Sequence, residues 1–255
     1  MSVALTELVA YLDECLEVSR FQDYCPNGLQ VEGRGTVSRI ATGVTASQAL
    51  LEAAIDWGAD AILVHHGYFW RGEAAPVVGM KRRRLAALLT ADVSLLAYHL
   101  PLDAHPVCGN NARLGQLLGI DLAQQSPLPG AAGDGLVSSA SLPQPLQVGA
   151  VLRQLAQLTG REPLLIGDAG ASVAHIAWCT GAAQGYIEAA AAAGADLFIT
   201  GEVSEQTVHI AREEGIQFIA AGHHATERYG VQALGDHLVD TFALEHRFFD
   251  IDNPV

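Results

Sequence analysis

Two stretches of this chain repeat one another. Advancing Ile40-Ala41 by 136 positions reaches Ile176-Ala177, and at that offset Gln48 meets Gln184 and Glu52-Ala53-Ala54 meets Glu188-Ala189-Ala190. Gly58-Ala59-Asp60 likewise meets Gly194-Ala195-Asp196, and Ala61–Val64 falls on Leu197–Thr200. His65-His66 falls on Gly201-Glu202. A match without gaps from Ile40 to Val64 exceeds what shared Gly and Ala content produces. The chain is therefore predicted to form two similar α/β lobes, each a mostly parallel sheet flanked by helices, related by duplication. Farther on, a shift of 124 sets His99 on His223 and Asp103 on Glu227, each pair just past an apolar run (Leu95–Tyr98, Phe218–Ala221).

The pattern between these landmarks supports the same architecture. Val37–Val44, Ala61–Val64 and Val93–Tyr98 read as strands, and Ala46–Trp57, Val77–Thr90 and Gly109–Leu118 as helices. That βαβαβα order implies a parallel sheet covered on its faces. The N-terminal stretch is predicted to be a helix with Leu5, Leu8, Val9, Leu12 and Leu16 on one face and Ser2 as its cap. Asn27-Gly28 is expected to supply the positive-φ positions of a turn. Residues 120–145, rich in Pro, Gly and Gln, are expected to be a linker or exposed excursion. A helix (Leu146–Leu158) and a strand (Pro163–Ile166) follow, so the lobes are placed at 1–125 and 126–255.

Composition narrows the function. A length of 255 residues, half of them hydrophobic but only 6% aromatic, suits sheet–helix packing with small residues at close approaches. No apolar run is long enough to span a bilayer, and the N-terminus lacks the basic region and cleavage site of a signal peptide. Cys15, Cys25, Cys108 and Cys179 are scattered without CxxC spacing, which argues against a disulfide framework or a thiolate zinc site. A cytoplasmic address is expected. A formal charge of −14 opposes general nucleic-acid binding. The local basic run Lys81-Arg82-Arg83-Arg84 reads as the solvated start of a helix, with phosphate binding as the alternative.

Candidate chemistry gathers where strands end. In open parallel sheets, ligands collect outside the carboxyl ends of strands. His65, His66, His99, Asp103, His223, His224 and Glu227 all follow predicted strands. Imidazole and carboxylate without thiolate suits Zn, Mn, Fe, Co or Ni. Two carboxylates and at least three histidines exceed the needs of one catalytic ion, so two divalent ions and hydrolysis are the expected cofactor and chemistry.

The motifs Cys25-Pro26-Asn27-Gly28-Leu29-Gln30-Val31-Glu32-Gly33, His65-His66-Gly67, Tyr98-His99-Leu100-Pro101-Leu102-Asp103, Gly109-Asn110-Asn111, Thr200-Gly201-Glu202 and Gly222-His223-His224-Ala225-Thr226-Glu227 together resemble the NIF-three-like family. Its members are often named GTP cyclohydrolase I type 2 homologs. The resemblance runs over nearly the whole chain. It implies a two-lobed α/β fold with a dinuclear metal site in the cleft, assembled as a toroidal homohexamer. Residue by residue it implies the ligands His65, His66, Asp103, His223 and Glu227. His99 is either a further ligand or a histidine bracing Asp103, and His224 is structural or faces substrate. Glu202 is either a general base or a surface glutamate opening the next helix. The long insertion of larger family members is missing.

The expected activity is hydrolysis of a nucleotide or similar small anion, with GTP cyclohydrolysis as the named special case. No Walker-type phosphate loop is present. Tyr68, Phe69 and Trp70 read as core packing, with stacking of a base as the alternative. The competing function is a non-catalytic metal-binding ring that recruits a partner or encircles nucleic acid.

Overall fold

The computed structural model describes residues 1–131 and 135–255. The chain runs β1 (Val3–Ala4), α1 (Leu5–Cys15), β2 (Gly28–Val31), β3 (Thr36–Val37), β4 (Arg39–Thr45), α2 (Gln48–Trp57), β5 (Ala61–His66), α3 (Gly79–Ala91), β6 (Ser94–Ala97), α4 (Leu100–Ala104) and α5 (Asn110–Leu117). It continues through β7 (Ser126–Pro127), β8 (Ser138–Gln147), α6 (Val148–Thr159), β9 (Leu164–Ile166), β10 (Ser172–Trp178), α7 (Ile187–Ala192), β11 (Leu197–Thr200), α8 (Glu205–Glu214), β12 (Gln217–Ala220), α9 (His223–Thr226), α10 (Arg228–Phe242) and β13 (Glu245–Phe248).

Two compact units result. The first comprises Met1–Leu102 and Gly230–Asp252, the second Asp103–Tyr229 and Asn253–Val255. They differ from a single cut at 125–126, and long-range pairing is the reason. β13 pairs in parallel with β4 (Glu245 opposite Arg39), and Val231, Leu234 and Leu238 of α10 join the core of α1. Nothing local in the sequence marks either association.

The first unit carries a sheet of order β13-β4-β5-β6-β2, parallel except for the antiparallel edge strand β2. Both faces are covered, so its central strands are mostly apolar, with Thr42, His65 and Ser94 as buried polar exceptions. Ile40, Leu63 and Leu96 pack with Leu8 and Leu12 of α1 on one side, while Ala41, Ile62 and Leu95 pack with Leu50 and Leu51 of α2 on the other. The second unit has the order β7-β8-β10-β11-β12-β9, parallel from β10 to β12 and antiparallel outside. Trp178, Leu197 and Ile219 face α6, and Phe198 and Phe218 face α7 and α8.

The repeat survives at atomic detail. Ile40 pairs with Ala61, and their counterparts Ile176 and Leu197 pair in the same register. Asp60 Oδ2 accepts from the amides of Ser38 and Arg39 at 2.8 and 2.9 Å. Asp196 Oδ2 does the same for Ala174 and His175, both at 2.8 Å. Each aspartate thus ties the start of one strand to the turn before the next. Gly58 and Gly194, both at positive φ (83° and 78°), make the turns possible.

Several local expectations need correction. The α1 cap is Ala4, without a side-chain bond, because the helix begins too late for Ser2 to serve. Asn27 is absent from the positive-φ residues, and Gly28 alone of that pair takes the strained conformation (φ 101°). The stretch 120–145 is not simply a linker: β8 pairs antiparallel with β10. Its Pro143 and Pro145 sit in the irregularity between the Ser141–His175 and Leu146–Val173 pairs, where a missing N–H costs no ladder bond. Residues 132–134 of that stretch lie outside the described residues. Of the apolar positions expected on α3, Leu88 is buried but Leu89 is 62% exposed. Among the described residues no helix is long and apolar enough to cross a membrane.

One stability prediction arises from the β13 pairing. The His246 ring bonds Thr42 Oγ1 at 2.8 Å and Asp236 Oδ1 at 3.1 Å. Burial lowers its pKa below the ordinary 6.5, and Asp236 only partly offsets this. The fold therefore favours the neutral ring, and stability falls as pH drops below 6.5 toward the folded-state value. Urea unfolding of wild type and His246→Gln at pH 5 and pH 8 should show a smaller loss at low pH in the variant.

Candidate metal centre

In the first unit the donors sit where β5 and β6 stop. β5 runs through both histidines, so the end of the strand lies at His66 rather than before His65. His65 is fully buried, and its Nδ1–H donates to Tyr98 O at 3.0 Å. A carbonyl only accepts, so this bond fixes the tautomer and leaves Nε2 as the basic nitrogen. His66 Nδ1 lies 3.1 Å from Thr45 Oγ1. His99 follows β6, and its ring centroid is 4.9 Å from that of His65 and 5.6 Å from that of His66. One nitrogen from each of the three rings falls within a mutual 4.8 Å, a grouping that can hold a metal ion. Gly67 is needed next to them, since a Cβ there would lie 2.2 Å from Gln30 Oε1 and 2.5 Å from Ala97 Cβ.

His99 is braced by residues that strand-end reasoning did not single out. Its Nδ1 is 2.8 Å from Asp23 Oδ1, and its amide donates to Asn27 Oδ1 at 2.7 Å. Burial alone would raise the Asp23 carboxyl. The hydrogen bond and charge of His99, with bonds from Asn27 and the Leu100 amide, prevail and hold it at about 2. The motif Cys25-Pro26-Asn27-Gly28 carried the only sequence signal for this support. Of the three aromatics, Tyr68 is core, its hydroxyl donating to Ala46 O at 2.7 Å. Trp70 packs edge-on against His99 at 5.0 Å and forms one wall of the cluster.

In the second unit Asp103, Asn110, Asn111, Thr180 and Glu227 are all buried polar residues. Asp103 Oδ1 accepts from Asn110 Nδ2 at 2.9 Å and from Thr180 Oγ1 at 3.3 Å. Asn111 donates to Asp103 O and Leu136 O and accepts from the Thr180 amide at 2.9 Å. The Gly109-Asn110-Asn111 motif is therefore scaffolding for the aspartate. His223 opens α9, with Nδ1 2.7 Å from Glu202 Oε1 and Nε2 3.2 Å from Glu227 Oε2. Burial opposes its charge, yet Glu227 and then Glu202 raise its pKa to about 9. A cation bound at Nε2 has to displace that proton. His224 is buried, its amide donating to Val255 O.

Glu202 is thus neither a detached surface carboxylate nor placed as a free base: it holds the Nδ1 side of His223. Asp23 does the same for His99. A carboxylate on the far nitrogen is the usual support of a metal-binding imidazole, fixing tautomer and basicity. Each unit supplies this device at its strand-end histidine, from different loops. Asp23→Asn and Glu202→Gln should each weaken metal affinity by roughly 10- to 100-fold, measured by competition with a chelating dye.

Glycines shape the second donor set. At Gly181 (φ 70°) a Cβ would approach Glu227 Oε1 to 2.0 Å. At Gly201, the repeat position of His65, a Cβ would lie 2.6 Å from His223 Cα. A side chain at that point would collide with the backbone leading to His223.

Comparisons with known proteins identify the family. A family model described as Duf34/NIF3 (NGG1p interacting factor 3) matches residues 3–254. The chain belongs to the Duf34/NIF3 family. A relative from Pseudomonas aeruginosa, named GTP cyclohydrolase 1 type 2 homolog, is 60% identical over 254 residues, covering 100% of both chains. One of the same name from Escherichia coli strain K12 is 51% identical over 250 residues and 98% of both. A solved structure described as protein ybgI, of unknown function, aligns at TM-score 0.93 with 50% identity, over 99% of this chain and 100% of its own.

Proposed function

We propose that this protein is a dinuclear metal-dependent hydrolase acting on a nucleotide or similar small anion, GTP cyclohydrolase-like in the special case. In this reading the ligands are His65, His66, Asp103, His223 and Glu227, which would hold two divalent ions. The observation that carries it is the preparation of the donors for a cation. Asp103 and Glu227 are buried carboxylates, and His65 is held in the tautomer that presents Nε2. The glycine at 181 keeps the space beside Glu227 that a side chain would fill. All-nitrogen and oxygen donors fit Zn, Mn, Fe, Co or Ni.

A bound ion pair supplies Lewis acidity and activation of water for hydrolysis. The protein's own contribution is positional. Asn110 and Thr180 fix the Asp103 carboxylate, Glu202 orients His223, and Asp23 orients His99 beside His65 and His66. Trp70 screens the histidines on one side.

The test is turnover of a nucleotide and phosphoester panel by metal-loaded protein. Hydrolysis lost in Asp103→Ala and Glu227→Ala with unchanged circular dichroism is the expected result. If no panel member is turned over, and Asp103→Ala alters only assembly or stability, the enzyme reading fails. The second reading is a metal-binding toroidal homohexamer that recruits a partner or encircles nucleic acid. It is favoured by the exposed Arg82 and Arg83 beside exposed Val77, Val78 and Met80. Its encircling form requires DNA retention that weakens steeply with salt and vanishes when Lys81–Arg84 are neutralised.

A further inference from the structure

A second grouping of donors shares His99. Asp23, Cys25 and His99 each offer an atom within a mutual 4.8 Å. All three belong to the first unit, and none but His99 enters the histidine cluster. Asp23 and Cys25 come from one irregular loop, whose intervening Tyr24 is 58% exposed. The Asp23 side chain is only 2% exposed, and Cys25 is buried and not in a disulfide.

We propose that Asp23, Cys25 and His99 form a separate site for a thiophilic divalent cation such as Zn²⁺ or Cd²⁺, and that filling it switches His99 away from the histidine cluster. One carboxylate, one thiol and one imidazole form a mixed set that soft and borderline cations prefer and Mg²⁺, Ca²⁺ or Mn²⁺ do not. Burial, and then the Asp23 charge, push the thiol up to about 12. Only a cation with strong affinity for sulfur displaces its proton, which makes the site selective.

The consequence follows from atom accounting. The nitrogen facing Asp23 is Nδ1, at 2.8 Å from Oδ1. A cation between them takes the place of the Nδ1 proton. The Sγ proton of Cys25 leaves to solvent, and the Nδ1 proton of His99 passes to solvent from the charged ring or to Nε2 from the neutral one. The ring then keeps its N–H at Nε2 and cannot ligate through that nitrogen. The Asp23–His99 hydrogen bond and occupation of this site are mutually exclusive.

The experiment is a Cd²⁺ titration of chelator-stripped protein, followed by the ultraviolet thiolate-to-cadmium charge-transfer absorbance. Wild type should develop the band to the amplitude of one cadmium thiolate per chain, Cys25→Ser should lack it, and Asp103→Ala should retain it. Retention in Asp103→Ala separates this site from the proposed dinuclear centre, whose failure would leave the band untouched. His99→Gln keeps the thiol and should weaken Cd²⁺ binding by about tenfold or more. A band that persists in Cys25→Ser, no band in wild type, or unchanged affinity in His99→Gln would overturn the proposal.

Discussion

Asp103→Ala is expected to reduce bound metal from about two ions per chain to one or none, with affinity for the remaining ion down by more than about 100-fold. Elemental analysis after dialysis against a weak chelator measures it. The magnitude follows from what the carboxylate does in the fold. It is 7% exposed and fixed by Asn110 and Thr180, so its loss removes a preoriented carboxylate from the proposed ligand set. Asp103→Asn retains the shape and much of the hydrogen bonding but not the charge. It should bind metal nearly as poorly while unfolding close to the wild-type temperature. If Asp103→Ala retains both ions, the proposed ligand set is wrong.

The largest loss of stability is expected at Trp178. Its side chain is fully buried at the end of β10, and its Nε1–H donates to Asn111 O at 2.9 Å. The fit is tight: a Cβ on Gly115 of α5 would come within 2.7 Å of Trp178 Cζ2. Trp178→Ala should cost about 3–5 kcal/mol through lost burial and the cavity left behind. Trp178→Phe fills most of the space and should cost about 1–2 kcal/mol, a share of it the lost hydrogen bond. Chemical denaturation of both variants separates the two contributions. Because Asn111 also carries Asp103 and Thr180, Trp178→Ala should lower metal affinity too, although it touches no proposed ligand.

What could be read from the chain was what is encoded locally. The duplicated strand–helix–strand unit was visible because Asp60 and Asp196 do the same work in the same register, and that work demands aspartate after Gly-Ala in both copies. Family membership was legible for a similar reason, since the motifs are short and contiguous. The supports of the histidines were hidden. Asp23 reaches His99 across 76 residues, and Glu202 reaches His223 across 21, with no periodicity to announce either. β8 was concealed by its prolines, which mark a break in ordinary strands but here occupy a local slip in pairing. The extent of the units was concealed by β13, whose partner β4 lies some two hundred positions earlier in the chain.

That pairing has a consequence for the order of events during synthesis. Residues 103–229 contain every strand of the second sheet, whereas the sheet that holds β4 waits for residues 230–252 to supply β13. Until then β4 presents an open edge, a template for wrong partners. The later-translated half of this molecule can mature first, and the earlier half is sealed by the last strand to emerge.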